Sequence, residues 1–290
     1  MFYRLDKHLT TALFAPIVRR STPDGIAIPI LMYHSVSDDP EREEHPYFWV
    51  NTTPERFESQ MRFLRENAYN VIGLAEAVDL LYGPDRGPGK NPRRVVVTFD
   101  DGFKDFKLNA FPMLRELGFT ATVFLPTNYI TDRTRKMDGK EHLSWEDVSE
   151  LHGQGISFGS HTAGHLQLKN LNMSEMQIQI RNSKDTIENR LGARIDSFSY
   201  PYAFPEEDKK LTKSLCDVLA GCGYRYGVTT RIGRATQKDP VFFLKRLPVS
   251  SRDDLGFFSA KLDGGYDWLY RVQLMSKILR AKFRNGKKRE

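Results

Sequence analysis

From about residue 28 to 250, short apolar runs alternate with segments of helical spacing, and several of the runs end on a polar or special residue. Pro29 to Tyr33 leads to His34. Val95-Val96-Val97 continues through Thr98-Phe99 to Asp100-Asp101-Gly102. Ile156-Ser157-Phe158 leads to Ser160-His161, and Asp196 to Tyr200 leads to Pro201-Tyr202-Ala203. Thr120–Leu125, Tyr224–Thr229 and Val241–Leu247 read as further strands. The segments between them carry helix signals. Thr53 caps a helix with Pro54 at its first position. Gly118 stops one near Leu108–Leu117, and Ser144 caps one through Leu151. A capping box of Ser174 and Gln177 opens a long helix to Leu191, closed by Gly192. Such alternation builds an α/β fold, a parallel sheet with helices outside. In barrels and open sheets alike, sites form where the carboxyl ends of parallel strands meet.

Two of these strand ends carry groups suited to chemistry. Neighbouring side chains on an extended chain point opposite ways, so Asp100 and Asp101 can be aimed at different tasks. The same letters also describe many surface turns. His161 and His165 stand four apart with Gly164 between them, and a helical turn or tight loop would bring both imidazoles to one face. Two histidines and a carboxylate make a catalytic, zinc-like donor set with room left for water and substrate. Taken together, the four residues favour a metal site over a turn.

The charge is unevenly placed. Residues 271–290 hold eight cations against Glu290, a segment charge of +7, so the rest of a chain with net charge +6 sums to −1. A nucleic-acid protein would spread its cations over a binding face, so none is expected as a partner. An anionic membrane surface suits the basic C-terminal helix better. Trp268, Leu269, Val272, Met275, Leu279 and Phe283 repeat there at helical spacing; a helix docked on the domain with a solvated face has the same pattern. Residues 2–18 form another amphipathic helix, with Phe2, Leu5, Leu9, Leu13 and Ile17 as its stripe, for packing on the domain or lying on a membrane. No apolar run approaches the ~20 residues of a membrane span, and no signal peptide is evident. Cys216 and Cys222 read as reduced thiols. The expected location is cytoplasmic, with the inner face of the membrane as the peripheral option. The expected organisation is an N-terminal helix in 1–20, one catalytic domain in 21–265, and a basic helix and tail in 266–290.

Thr98-Phe99-Asp100-Asp101-Gly102, Ser160-His161-Thr162-Ala163-Gly164-His165 and Phe198-Ser199-Tyr200-Pro201-Tyr202-Ala203 together resemble the motifs of polysaccharide deacetylases of the NodB-homology type, carbohydrate esterase family four. Leu31-Met32-Tyr33-His34 resembles the opening of the subgroup that acts on poly-N-acetylglucosamine-like glycans. The resemblance implies a distorted (β/α) barrel and a divalent metal, Zn²⁺ ahead of Co²⁺ or Ni²⁺, held by Asp101, His161 and His165. It implies that Asp100 is the general base and that the backbone N–H of Tyr202 holds the oxyanion; Pro201 has no N–H to give. The substrate it implies is an N-acetylated glycan or its lipid-linked precursor, which loses acetate.

Two positions depart from the family pattern. Ser199 stands where an Arg that orients the base is usual, and Arg246 on a neighbouring strand is the candidate replacement; an exposed strand cation is the other reading. No His follows His165, so the general acid is expected to be His34. Sugar faces stack on aromatics. Among Tyr47, Phe48, Trp49, Trp145, Tyr202 and Phe204, the loop residues Trp49 and Tyr202 are the expected platforms, and Trp145 is expected to pack in the core. Two other functions fit the same residues: a catalytically inactive carbohydrate-binding protein, and a hydrolase of another small linear or cyclic amide.

Overall fold

A computed structural model of the chain describes residues 4–20, 25–39, 49–84, 93–132, 136, 137 and 139–286, with side chains described through residue 280 except that of Met137. Tyr47 and Phe48 lie outside the described residues, as do Phe2, the side chain of Phe283 and the last cations of the tail.

Seven parallel strands close into a barrel: β1 (Ile30–Tyr33), β2 (Arg94–Phe99), β3 (Thr122–Leu125), β4 (Ser157–Ser160), β5 (Ser197–Ser199), β6 (Tyr226–Ile232) and β7 (Leu244–Pro248). Neighbours in the sequence are neighbours in the barrel, and β1 closes it by pairing with both β2 (Leu31 opposite Val97) and β7 (Leu247 opposite Leu31). All carboxyl ends therefore open at one mouth. The short strand Asn70–Val71 extends the sheet beside the start of β2.

The pleat sorts each strand into two rows. Val95, Val97 and Phe99 of β2 face the helices and join one buried cluster with Leu31, Val123, Leu125, Phe158 and Phe198. Val96 joins Ile30, Phe124, Val228 and Leu244 in a second cluster that fills the barrel. Above that plug, the inward rows turn polar, with Thr98 and Asp100 from β2, Ser197 and Ser199 from β5, and Arg246 from β7, all buried. Apolar burial at ~25 cal/mol per Å² therefore anchors the closed end of the barrel, while the open end holds the polar groups.

The outer helices follow the caps read from the sequence with one correction. The long helix α1 (Met173–Leu191) is capped by Asn172, whose side chain accepts from Glu175 N while the Glu175 carboxylate accepts from Asn172 N. Ser174 thus lies inside the first turn. Asn172 is itself a strong N-cap, and Glu175 completes its box. Gly192 closes the helix at φ 63°.

The N-terminal helix spans residues 5–20 and is interrupted by a π-helical stretch, Thr10–Phe14. It packs on the domain, but through Thr10 and Ala15, with Phe14 stacked on Trp268. Leu5, Leu13 and Ile17 of the expected stripe face outward. The wider π turn rotates the helix register, so a face read at uniform α spacing is not the face that docks.

Both cysteines are free thiols, Cys222 buried and Cys216 half-buried. Trp145 is buried as expected. Phe204 is buried too, against Tyr200 and Phe243, which removes it as a sugar platform.

Candidate active site

Asp100 ends the inward row of β2, and the chain then turns sharply through Asp101 (φ 70°) and Gly102 (φ 61°). A Cβ on Gly102 would lie 2.7 Å from Leu125 Cδ2, so this turn has both a conformational and a steric reason for glycine. The turn reverses the direction of successive side chains. Asp100 stays inside the barrel and Asp101 swings over its rim.

The histidines sit on a tight loop after β4, with Thr162 (φ 66°) and His165 (φ 51°) in the left-handed region. Neighbouring backbone holds that loop. Asn128 N donates to Ala163 O, Ala163 N to Gln179 O, and Gly164 N to Gln179 Oε1 at 2.7 Å. Tyr202 (φ 60°) follows β5. Four of the five described non-glycine residues with positive φ thus stand at strand tips around one mouth, where such strained conformations tend to gather.

Asp101, His161 and His165 present ligand atoms that all lie within 4.8 Å of one another. Asp101 Oδ1 is 3.2 Å from His165 Nε2 and 3.5 Å from His161 Nε2, and it is buried without a hydrogen-bond partner. Donors at ~2.0–2.2 Å from a tetrahedral ion stand roughly 3.3–3.6 Å apart, so this separation fits a shared divalent cation. His161 Nδ1 lies 2.8 Å from Ser199 O, a contact in which the ring N–H donates, and this turns Nε2 toward Asp101. Burial pushes the Asp101 carboxyl up, but the two imidazoles hold it well below its ordinary value. The Asp101 carboxylate is therefore ionised and oriented.

Behind it, Arg246 grips Asp100. Nη1 donates to Oδ1 at 2.8 Å and Nη2 to Oδ2 at 2.7 Å. The guanidinium is fully buried and its other donors are satisfied by Thr229 O, Thr98 Oγ1 and Ser199 Oγ. Ser199 Oγ also contacts Asp100 Oδ1, at 3.1 Å. Burial raises the Asp100 carboxyl, and the charges of Arg246 and His161 pull it below the ordinary carboxylate value. Arg246 is not an exposed strand cation. The pleat places Lys245 outward, 3.3 Å from Asp239, and Arg246 inward.

His34 follows β1, with Nε2 3.9 Å from Asp100 Oδ2. Burial lowers its basicity more than the flanking Asp101 and Asp100 raise it. Tyr202 is half exposed, with its ring 4.8 Å from that of His165; Pro201 before it is buried. Trp49 stands two residues before the strand Asn51–Thr52, which pairs with Ser35–Val36 just after His34. The Arg252 guanidinium lies 4.5 Å from its ring centroid. The mouth thus brings together Asp100, Asp101, His161, His165, His34, Arg246 and the Tyr202 loop. Sequence reasoning quoted Thr98 within a motif but gave it no role, and it did not find Thr229 and Gln179, which carry no motif signal; the inward row and the loop hydrogen bonds reveal all three.

The sequence profile of the polysaccharide deacetylase family matches residues 87–227. YxkH of Bacillus subtilis, provisionally named a polysaccharide deacetylase, is 31% identical over 224 residues, covering 77% of this chain and 71% of that protein. The poly-beta-1,6-N-acetyl-D-glucosamine N-deacetylase of Staphylococcus epidermidis is 26% identical over 211 residues, 69% of this chain and 68% of that one. Among solved structures, the Streptococcus pyogenes deacetylase PplD in complex with acetate superposes with a TM-score of 0.68 at 23% identity, over 82% of this chain and 99% of that one. IcaB from Ammonifex degensii gives 0.66 at 24% identity, over 82% and 97%. Both share the fold.

Proposed function

Because this chain belongs to the polysaccharide deacetylase family, we propose that it hydrolyses the N-acetyl groups of an amino-sugar glycan or its lipid-linked precursor, releasing acetate. The observation that carries the reading is the placement of an ionised, Arg-anchored Asp100 beside the convergent Asp101, His161 and His165. Those three residues would hold one divalent cation. When bound, it would supply Lewis acidity toward the acetamide oxygen and make a water acidic near neutral pH.

The chain's own residues supply the remaining work. Asp100 is held ionised and accepts the proton of the attacking water. Arg246 fixes that carboxylate in one orientation and keeps it from turning toward Asp101, the role that an Arg at position 199 would otherwise fill. The backbone N–H of Tyr202 stabilises the oxyanion, and Pro201 contributes no competing donor. His34, kept neutral by burial, takes up a proton on the Asp100 side and delivers it to the departing amine. Tyr202 and Trp49 bear on the sugar face. The Staphylococcus epidermidis relative makes β-1,6-linked N-acetylglucosamine the first substrate to try.

The test is acetate release from β-1,6-linked N-acetylglucosamine oligomers of increasing length, with small N-acetyl amides in parallel. We expect release that grows with oligomer length, stops on chelation, and falls about 10²–10⁴-fold in Asp100→Asn. Full activity in Asp100→Asn would overturn the mechanism. Binding without release would favour a carbohydrate-binding protein, and release from small amides alone a different hydrolase.

A further inference from the structure

We propose that the outer face of the C-terminal helix α2 (Leu269–Gly286) is a docking surface for an anionic lipid bilayer. The two faces of this helix have different partners. On the inner face, Tyr270 accepts from Arg231, Gln273 donates to Thr230 O, and Lys277 donates to Phe204 O at 2.8 Å and to Glu206 at 3.0 Å. On the outer face, Val272, Met275 and Leu279 are each about half exposed, at 51, 56 and 50%. At 3.6 residues per turn, these three cluster roughly opposite Lys277, and the exposed Arg271 and Arg280 stand about a quarter turn to either side. An apolar ridge between two arginine flanks is how a helix lies in a membrane interface, ridge in the acyl boundary and cations among the headgroups.

Charge selects this occupant. The segment from Arg271 to Glu290 carries +7, complementary to an anionic leaflet. A second copy docking by the same face would bring its arginine flanks against those of the first, since a two-fold interface is built from one patch twice. The N-terminal helix adds apolar surface nearby: next to Phe14, which stacks on Trp268, Leu13 and Ile17 are also exposed.

Docking would also place the active site. Thr230 Oγ1 donates to Tyr202 O and accepts from Phe204 N, and Gln273 and Lys277 grip the same segment from the helix side. The Tyr202 loop therefore stands about one helix diameter, ~10–12 Å, from whatever covers the outer face. That distance suits a substrate tethered to lipid.

Flotation of the full chain with phosphatidylglycerol–phosphatidylcholine vesicles tests the proposal. We expect co-flotation with the mixture, loss of it on pure phosphatidylcholine, and at least tenfold weaker binding in the double variant Met275→Glu, Leu279→Glu. The unfolding temperature of that variant should stay unchanged, because both side chains are exposed. In the unaltered protein, amide exchange of α2 should slow when anionic vesicles are added. Equal flotation of the double variant, or absence of wild-type flotation, would overturn the proposal. So would a dimer in solution that the double variant dissolves, which would assign the face to a second copy.

Discussion

Arg246 and Asp100 form a buried, two-pronged ion pair across the barrel interior, 146 residues apart in sequence, with β1 standing between their strands. Each oxygen of the carboxylate takes one guanidinium nitrogen. The pair is buried, with Arg246 at 0% and Asp100 at 2% exposure, so little solvent screens it.

Arg246→Ala should destabilise the protein by about 3–5 kcal/mol, since it leaves Asp100 as an uncompensated buried charge. Arg246→Lys keeps the charge but loses the fork and should fall between the two. Removing both partners should recover part of the loss. Urea unfolding of the four proteins measures this. An Arg246→Ala variant as stable as the parent would mean that the pair does not hold the barrel mouth.

Divalent metal should bind at one ion per chain and raise the unfolding temperature. The stabilisation expected at a free-ion concentration 100-fold above Kd is about 2.7 kcal/mol. Alanine at Asp101, His161 or His165 should each remove most of the effect, whereas alanine at His152, on the outer helix Trp145–Gly153, should not. Calorimetric titration gives the stoichiometry; binding that survives loss of all three donors would place the ion elsewhere.

Gly102→Ala and Gly118→Ala separate conformational strain from crowding. Both glycines have positive φ, 61° and 67°, so each substitution costs roughly 1–2 kcal/mol of backbone strain. A Cβ at Gly118 meets open space, while one at Gly102 meets Leu125 and Ile130. The Gly102 variant should be the less stable, and it alone should lose metal affinity, because its turn aims Asp101. Matched affinities in the two variants would contradict that assignment.

Acid should loosen the N-terminal helix. The Asp6 carboxyl is raised by burial but lowered further by bonds from Arg4 and from Tyr266, whose hydroxyl is 2.7 Å away, so its folded value lies below 3.8. A depressed carboxylate contributes stability that is fully present above its unfolded value and lost as pH falls through the folded one. The anchoring should therefore be intact above about pH 4–5 and fade below it. Trp268 fluorescence reports the change through its stack on Phe14. Asp6→Asn should loosen the helix at neutral pH and flatten the acid response.

Much of the site was legible in the sequence because strand ends are legible. Val95-Val96-Val97 followed by Asp100-Asp101-Gly102 states where a buried strand stops and what it carries, and Ser160-His161 does the same for β4. Period and composition also gave the helices, since caps act over three residues. Errors arose where a local signal had a competitor: Asn172 outbid Ser174 as a cap, and the π turn at Thr10–Phe14 rotated the docking face of the first helix.

The amino-acid order by itself determined the alternation of strands and helices and the polar strand tips that carry Asp101 and the His161–His165 pair, because each tip rests on neighbours a few residues apart. Only the tertiary structure decided which cation meets Asp100. Lys245 and Arg246 are adjacent and both cationic, and one step of the pleat sends the first outward to Asp239 and the second inward to Asp100. Closure through β1 fixes the register, and that pairing joins segments too far apart in the chain for any local pattern to encode.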